Sequence, residues 1–433
     1  MPDSPPEDPC SNPPDELNRL SAEIGRRKSR GEDVADLVAR HRELRASLAR
    51  PAASGAPVVT EALRVSVCDR PAEFAALRNE WYGLIDDSDT YSPFLTWEWL
   101  YPWWEAYGVG CELRLLLARS STGRLDGIAP LLLRRDRLGR CLAFIGTGKN
   151  SPRGDYFGLI ARRGVEPGVN GALANAICDR DLGWDYAHLE HLRWDPVKPG
   201  FEQLLLVGED VLAVTETEGE CVWGELPGTF EDFIAAVPHR RRRWDVRTQM
   251  QRLREAHSDA DFGACLTAEE VTASLGALAR MNIRRKSARG EVSSFADPRS
   301  LAMRQHAAEL FRERGWLRLD ELRIDDRVIA SLMGFQFRGT YFCYQMGFDD
   351  EFAAIGPVHC LLGHRIAQLI ADGVTRFDFL AGEEPYKREY FADTHTEVSL
   401  RLFSDTFAGS RAAAMFTARG FLRHAKRKLL RRD

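Results

Sequence analysis

Lysine is almost absent from this sequence. Of 59 basic residues only seven are lysines, at 28, 149, 198, 286, 387, 426 and 428, so a lysine inside a dense motif stands out. Paired cysteines are missing too. Nine cysteines are scattered singly with no CxxC, which excludes a disulfide framework and a thiolate zinc site and predicts a reduced, cytoplasmic protein. No apolar run approaches the roughly 18 residues a membrane helix needs; GIAPLLL at 127–133 is among the longest. The first residues, MPDSPPEDPCSNPP, have neither a basic nor an apolar segment, so no signal peptide is expected. There is no GxSxG nucleophile elbow. GTGK at 146–149 fails as a phosphate loop, with Ala143 and Asn150 where glycine and Ser/Thr are required. His188 and His191 fall on an expected strand, where i and i+3 point to opposite faces, a poor metal pair. No metal and no redox cofactor are expected.

What is present is a chain of 433 residues, 44% hydrophobic, with 64 acidic residues and a net charge of −5, enough for two or three domains with their own cores. Its charge is uneven. Residues 411–433 hold eight Arg/Lys against one Asp, and HRRRRWDVRTQMQRLR at 239–254 is also basic; either can face a polyanion. Residues 1–14 read as a disordered Pro-rich tail. Residues 15–50 carry apolar stripes at helical spacing on both sides of Gly31, an antiparallel helical hairpin too thin to be a globular domain. A linker at 51–59 follows. Two mixed units then span 60–230 and 231–405, and a basic C-terminal helix spans 406–433.

Within 60–230 the pattern predicts strands at 63–68, 113–119, 127–134, 141–145 and 185–192, with helices at 71–85, 96–107 and 168–179. Within 231–405 it predicts helices at 238–256, 267–281, 298–314 and 357–372. A meander is expected over 316–325, 327–337 and 340–347, turning at Asp325-Asp326 and Arg338-Gly339, then strands at 375–380 and 396–403. The fold class is therefore α/β with mixed (α+β) sheets. Tryptophans 97, 99, 103 and 104 are expected to pack between elements, an aromatic wall for an acceptor being the alternative.

Residues 327–391 carry Gly347-Phe348-Asp349, Gly373, Asp378-Phe379-Leu380, Gly382 and Tyr386-Lys387, a pattern that resembles the GNAT superfamily in its CelD-like branch, related to the Fem-type (FemAB-like) aminoacyltransferases. SPFLTWEWLYPWW (92–104) and SPRGDYFGLI (151–160) look like the matching N-terminal elements. The resemblance implies tandem GNAT-like domains with acyl transfer at the cleft between them. Acyl transfer to an amine needs a base for the ammonium proton and a donor for the developing oxyanion. DFLAGEEPYK offers Asp378 as a basic or orienting group and Lys387 as an electrostatic clamp beside Tyr386; a loop-capping Asp378 and a surface Lys387 are the structural alternatives. Asp155, Tyr156, Glu383 and Gln345 are candidates for holding substrate. A CoA-using GNAT usually places a glycine-rich anion-binding turn before its central helix. Here that stretch is EFAAIGPVHCLLG, with one glycine, Gly356, followed by Pro357, which has no N–H to offer.

LNRLSAEIGRRKSRGEDVADLVARHRELRASL (17–48) resembles the N-terminal tRNA-binding hairpin of bacterial seryl-tRNA synthetase. That implies phosphate contacts from Arg26, Arg27, Lys28 and Arg30 at the tip and Arg40, Arg42 and Arg45 on the return helix. The expectation is a cytoplasmic acyltransferase without a bound cofactor. It takes an aminoacyl group, seryl, from aminoacyl-tRNA to an amine of a small-molecule (natural-product) or envelope-precursor acceptor. The alternatives are an acyl-CoA-dependent N-acetyltransferase of exopolysaccharide or small molecules, and a non-catalytic protein binding RNA or, through its basic tail, a membrane surface.

Overall fold

In the computed structural model of the protein, residues 63–148, 151–194, 211–382 and 384–417 are described, together with residues 36, 40, 201 and 205. The hairpin cations Arg26, Arg27, Lys28, Arg30, Arg42 and Arg45, the basic tail beyond 417 and Glu383 lie outside the described residues. The first half runs β1 (Arg64–Cys68), α1 (Pro71–Ala76), α2 (Arg78–Asp86), α3 (Trp97–Tyr107), β2 (Glu112–Arg119), β3 (Leu125–Arg135), β4 (Arg140–Phe144), β5 (Ile160–Ala161), α4 (Glu166–Cys178), β6 (Tyr186–Trp194) and β7 (Val211–Glu225). The second half runs α5 (Phe230–Ala236), α6 (Arg240–Ala256), β8 (Asp261–Ala264), α7 (Ala268–Ala288), α8 (Pro298–Glu313), β9 (Leu317–Ile324), β10 (Arg327–Phe337), β11 (Thr340–Phe348), α9 (Pro357–Ala371), β12 (Arg376–Ala381), α10 (Pro385–Tyr390) and β13 (Asp393–Ser404).

Local chemistry explains these boundaries. Asp325-Asp326 and Arg338-Gly339 all take positive φ (50°, 61°, 50° and 75°), the two-residue turn that matches strand twist. Thr267 and Glu270 close a capping box on α7, while Asp297 caps α8 with Pro298 at its first turn. The sequence pattern overlooked β7, β5, β8, α5 and α10. In β7, TETEGE interrupts any apolar alternation because the strand is held by neighbours on both edges rather than by one apolar face.

All strands among the described residues join one 13-stranded sheet in the order β1-β2-β3-β4-β6-β13-β7-β12-β11-β10-β9-β8, with β5 on β3. The halves are related by an approximate two-fold: β1-β2-β3-β4-β6 corresponds to β8-β9-β10-β11-β12. Each half then lends its last strand to the other, β13 pairing with β6 and β7 with β12. Pairing is antiparallel except at β4/β6 and β11/β12, where the strands run parallel briefly and then part. Two core clusters form on the sheet. One gathers Phe335, Phe342 and Leu380 with α3, α7, α8 and the first half. The other gathers Tyr341, Cys343, Phe377 and Phe379 with α6 and α9. Successive residues of β11 and β12 divide between them, as alternation across a sheet demands. The four tryptophans are buried as packing predicts, and Trp99 stacks on Phe311 of the other half. No helix among the described residues is long and apolar enough to cross a membrane.

Candidate active site

The strands β11 and β12 separate after the pair Phe342–Asp378, and a bulge follows at once in β12, where Leu380 takes φ 58°. Asp378 sits at this fork, fully buried. Its Oδ2 accepts hydrogen bonds from the Tyr91 hydroxyl at 2.9 Å and the Tyr156 hydroxyl at 3.0 Å, and its Oδ1 accepts from the Leu380 amide at 2.7 Å. Burial pushes the carboxyl up to about 6, with those three donors pulling it back. Burial, then the neighbouring Asp378, pushes both tyrosine hydroxyls above their ordinary value, so they stay protonated as donors. Tyr91 and Tyr156 also line a cavity of about 260 Å³ on the first-half side.

Tyr156 and Asp155 reach this fork from the first half. Tyr156 holds φ 60°, an uncommon conformation for a bulky residue, while its amide donates to Glu397 at 3.1 Å. Asp155 accepts from Arg153 at 2.9 Å and from the Ala381 amide at 3.4 Å. With Gln345, Leu380 and Ala381 it lines a second cavity of about 150 Å³. Asp155, Tyr156, Gln345 and Asp378 are thus brought together across the two halves.

Lys387 lies on α10 and is 5% exposed rather than a surface cation. Its Nζ donates to the Ala381 carbonyl at 3.0 Å and the Leu380 carbonyl at 3.4 Å and pairs with exposed Glu384 at 3.0 Å. The ammonium therefore ties α10 to the bulge behind Asp378. Tyr386 packs its ring on Phe379 and His359 in the other core cluster, so it does not join Asp378.

A buried ionic cluster supports the fork, and here the expectation for the histidines is corrected. A bulge at Glu190–His191, with His191 at φ 59°, breaks the strand alternation that would have put His188 and His191 on opposite faces. Glu218 lies 2.7 Å from His191 Nδ1 and also groups with His188 and Glu190. Burial opposes charging of His191, but Glu218 and Glu397 outweigh it and raise the ring to about 9. Burial likewise opposes charge on Glu218, which His191 nevertheless draws down to about 2. Arg153 bridges Asp155 and Glu397, so these carboxylates already hold a cation.

Tyr91, Arg153, Glu218 and Glu397 carry no expectation from the sequence, and His191 enters it only as half of a poor metal pair. Tyr91 stands one residue before the quoted 92–104 element, and Arg153 lies inside SPRGDYFGLI, so a wider look at those elements was the available signal. Glu218 and Glu397 carry none, because only strand exchange brings β7 and β13 to the site.

Residues 240–388 match the sequence model of the acetyltransferase (GNAT) domain. The crystal structure of FemX aligns over 76% of this chain and 96% of that one, with a TM-score of 0.54 at 10% identity. A conserved protein of unknown function from Bacteroides thetaiotaomicron aligns over 79% and 100%, with a TM-score of 0.51 at 13% identity. No curated protein sequence matches the chain. Residues 240–388 thus carry a sequence match to the GNAT acetyltransferase domain, and the FemX alignment shows that the fold extends over both halves.

Proposed function

We propose that this acyltransferase moves an aminoacyl group, seryl, from aminoacyl-tRNA to the amine of a small-molecule or envelope-precursor acceptor. The observation that carries this reading is the start of α9, where a CoA-using GNAT would cradle pyrophosphate. Pro357 offers no N–H, the His359 and Cys360 amides turn back to the Gly356 carbonyl, and a Cβ on Gly356 would stand 3.1 Å from Gln249 of α6. In place of an anion nest, α6 lays an arginine helix there. Arg240, Arg241 and Arg243 are exposed beside Arg242, which holds Glu389 at 2.9 Å, two residues from Lys387. A row of exposed cations suits a polynucleotide backbone. The resemblance of residues 17–48 to a tRNA-binding hairpin supports the same donor.

In the reaction, the acceptor's ammonium proton passes to the Tyr91 oxygen as the Tyr91 proton moves to Asp378. The freed nitrogen attacks the ester carbonyl and sheds its second proton to water, the tetrahedral centre collapses, and the bond to the ribose oxygen breaks, that oxygen taking the proton held on Asp378 back through Tyr91. The ester is already activated, so positioning and charge stabilisation carry the step. Lys387 can exchange exposed Glu384 for the developing oxyanion.

A second reading, an acyl-CoA-dependent N-acetyltransferase, is favoured by the acetyltransferase domain match itself. Incubating the full chain with seryl-tRNA beside acetyl-CoA separates the two. Retention and slow hydrolysis of seryl-tRNA, lost on deleting residues 1–50, is the expected result. Binding of acetyl-CoA with indifference to seryl-tRNA would sink the aminoacyl reading.

A further inference from the structure

Arg304 on α8 is 2% exposed, yet among the described residues no carboxylate comes within ion-pair distance of it. Its guanidinium bonds to the Ser300 carbonyl and hydroxyl and, at 3.2 Å, to the Ser294 hydroxyl, and it lies beside the Tyr344 hydroxyl; its Nε has no well-aligned partner. The Phe295 ring, 4.3 Å from Cζ, offsets part of the charge. A buried cation without an anion is costly, and natural proteins pair such groups or neutralise them. Arginine cannot neutralise itself.

Arg304 also lines the 150 Å³ cavity, with Ser294, Tyr344 and Ser151 beside it; Arg153 and Asp155 line it too, but their charges are already engaged with each other in an ion pair. Tyr344 is the extra residue of a bulge in β11, and its hydroxyl is buried beside Arg304 with no well-aligned hydrogen bond. Two donor groups from different elements, neither fully satisfied, therefore share one cavity. Its far wall is Leu380 and Ala381, adjoining Asp378. The volume equals about five waters, which suits a small charged group and excludes a nucleotide.

We propose that this cavity binds the anionic group of the acceptor, so that the acceptor is a small amine bearing a carboxylate or phosphate. Arg304 takes the anion bidentately and Tyr344 donates a further hydrogen bond, which leaves the amine at the Asp378 fork. The proposal rests on the acyl-transfer reading for the word acceptor, but the anion site itself does not.

The test titrates the full chain, without donor, with 4-aminobutyrate, phosphoethanolamine and butylamine, reading melting temperature and calorimetric affinity. One or both anionic amines should bind and raise the melting temperature, the stronger one identifying the charged group, while butylamine does neither. Arg304→Gln should weaken binding roughly 10- to 100-fold and Arg304→Lys less. Should Arg304→Gln fail to fold, Tyr344→Phe removes only a hydroxyl without a well-aligned hydrogen bond and should weaken the same ligand several-fold. Equal binding of butylamine, binding of none of the three, or full affinity in whichever of these variants folds overturns the proposal. Binding that survives while seryl-tRNA and acetyl-CoA are both ignored supports the anion site and breaks only the acyl-transfer reading.

Discussion

The two halves share a strand order but treat the fork between their parallel strands in opposite ways. In the second half β11 and β12 part at Asp378, the bulge falls at Leu380, and a cavity opens beside it. In the first half β4 and β6 part after Leu142–Ala187, and the matching bulge falls at His191. There the gap between the strands is filled by the chain itself, and the 260 Å³ cavity lies against the plug rather than in the gap: Phe157 bridges to Leu192, its amide donates to the His191 carbonyl at 2.8 Å, and its ring stacks on Phe144. The position matching Asp378 is Leu189, each lying just before its bulge. The carbonyl that Phe157 caps in one half is the one Lys387 reaches in the other. The first-half fork thus serves as a scaffold, and the segment that plugs it delivers Asp155 and Tyr156 to the fork at Asp378.

The largest expected effect comes from removing the group that distinguishes the halves. Asp378→Asn keeps an acceptor for both tyrosines but not a proton sink, so transfer should fall by roughly 10²- to 10⁴-fold with the fold retained. Because the carboxyl sits at about 6, the wild-type rate should fall as pH drops through that value, and the variant should lose this limb. A rate within twofold of wild type would remove Asp378 from the chemistry. The converse change, Leu189→Asp, should add no activity.

Stability should break next at the plug. Phe157 is 3% exposed, and Phe157→Ala should cost about 3–5 kcal/mol in chemical denaturation. It should also slow transfer, since Tyr156 is its neighbour. Unchanged stability would mean that the first fork is not held shut by this ring.

The ionic cluster gives a smaller, pH-dependent effect. His191 titrates above its unfolded value, so its contribution is complete below about 6.5 and is lost as pH rises through about 9. Glu218 titrates below its unfolded value, so its contribution is complete above about 4.5 and is lost as pH falls through about 2. His191→Gln should therefore remove on the order of 3 kcal/mol near neutrality and flatten the alkaline side of the stability profile. A variant with the wild-type alkaline decline would place that titration elsewhere.

Much of this comparison was legible in the sequence, because each half's strands and helices announce themselves by period. Leu332, Met333 and Tyr341 lie where the meander pattern puts them, and the Asp325-Asp326 turn follows from residue type. Asp378 and Lys387 stood out within DFLAGEEPYK. What could not be read was whatever depends on exchange between the halves. Nothing local pairs β13 with β6, aims Glu397 at Arg153, or tells Leu380 to leave the β region. Tyr386 was misplaced for a related reason: two adjacent helical residues, Tyr386 and Lys387, take different partners, and only the strand end decides which.

The smallest effect should come from α6, which has no counterpart among the described residues of the first half. Arg240, Arg241 and Arg243 are exposed, so changing all three to alanine should leave folding intact. If they meet phosphates, each arginine removed should reduce the slope of log affinity against log salt by about 0.7 to 0.9 for seryl-tRNA. The triple variant should then bind tRNA more weakly at low salt and approach wild type as salt rises, while 4-aminobutyrate affinity stays the same. An unchanged salt slope would make α6 a mere cover for α9. The depleted anion nest at Gly356 would then be left without its substitute, and the case for a polynucleotide donor would fall back on the hairpin alone.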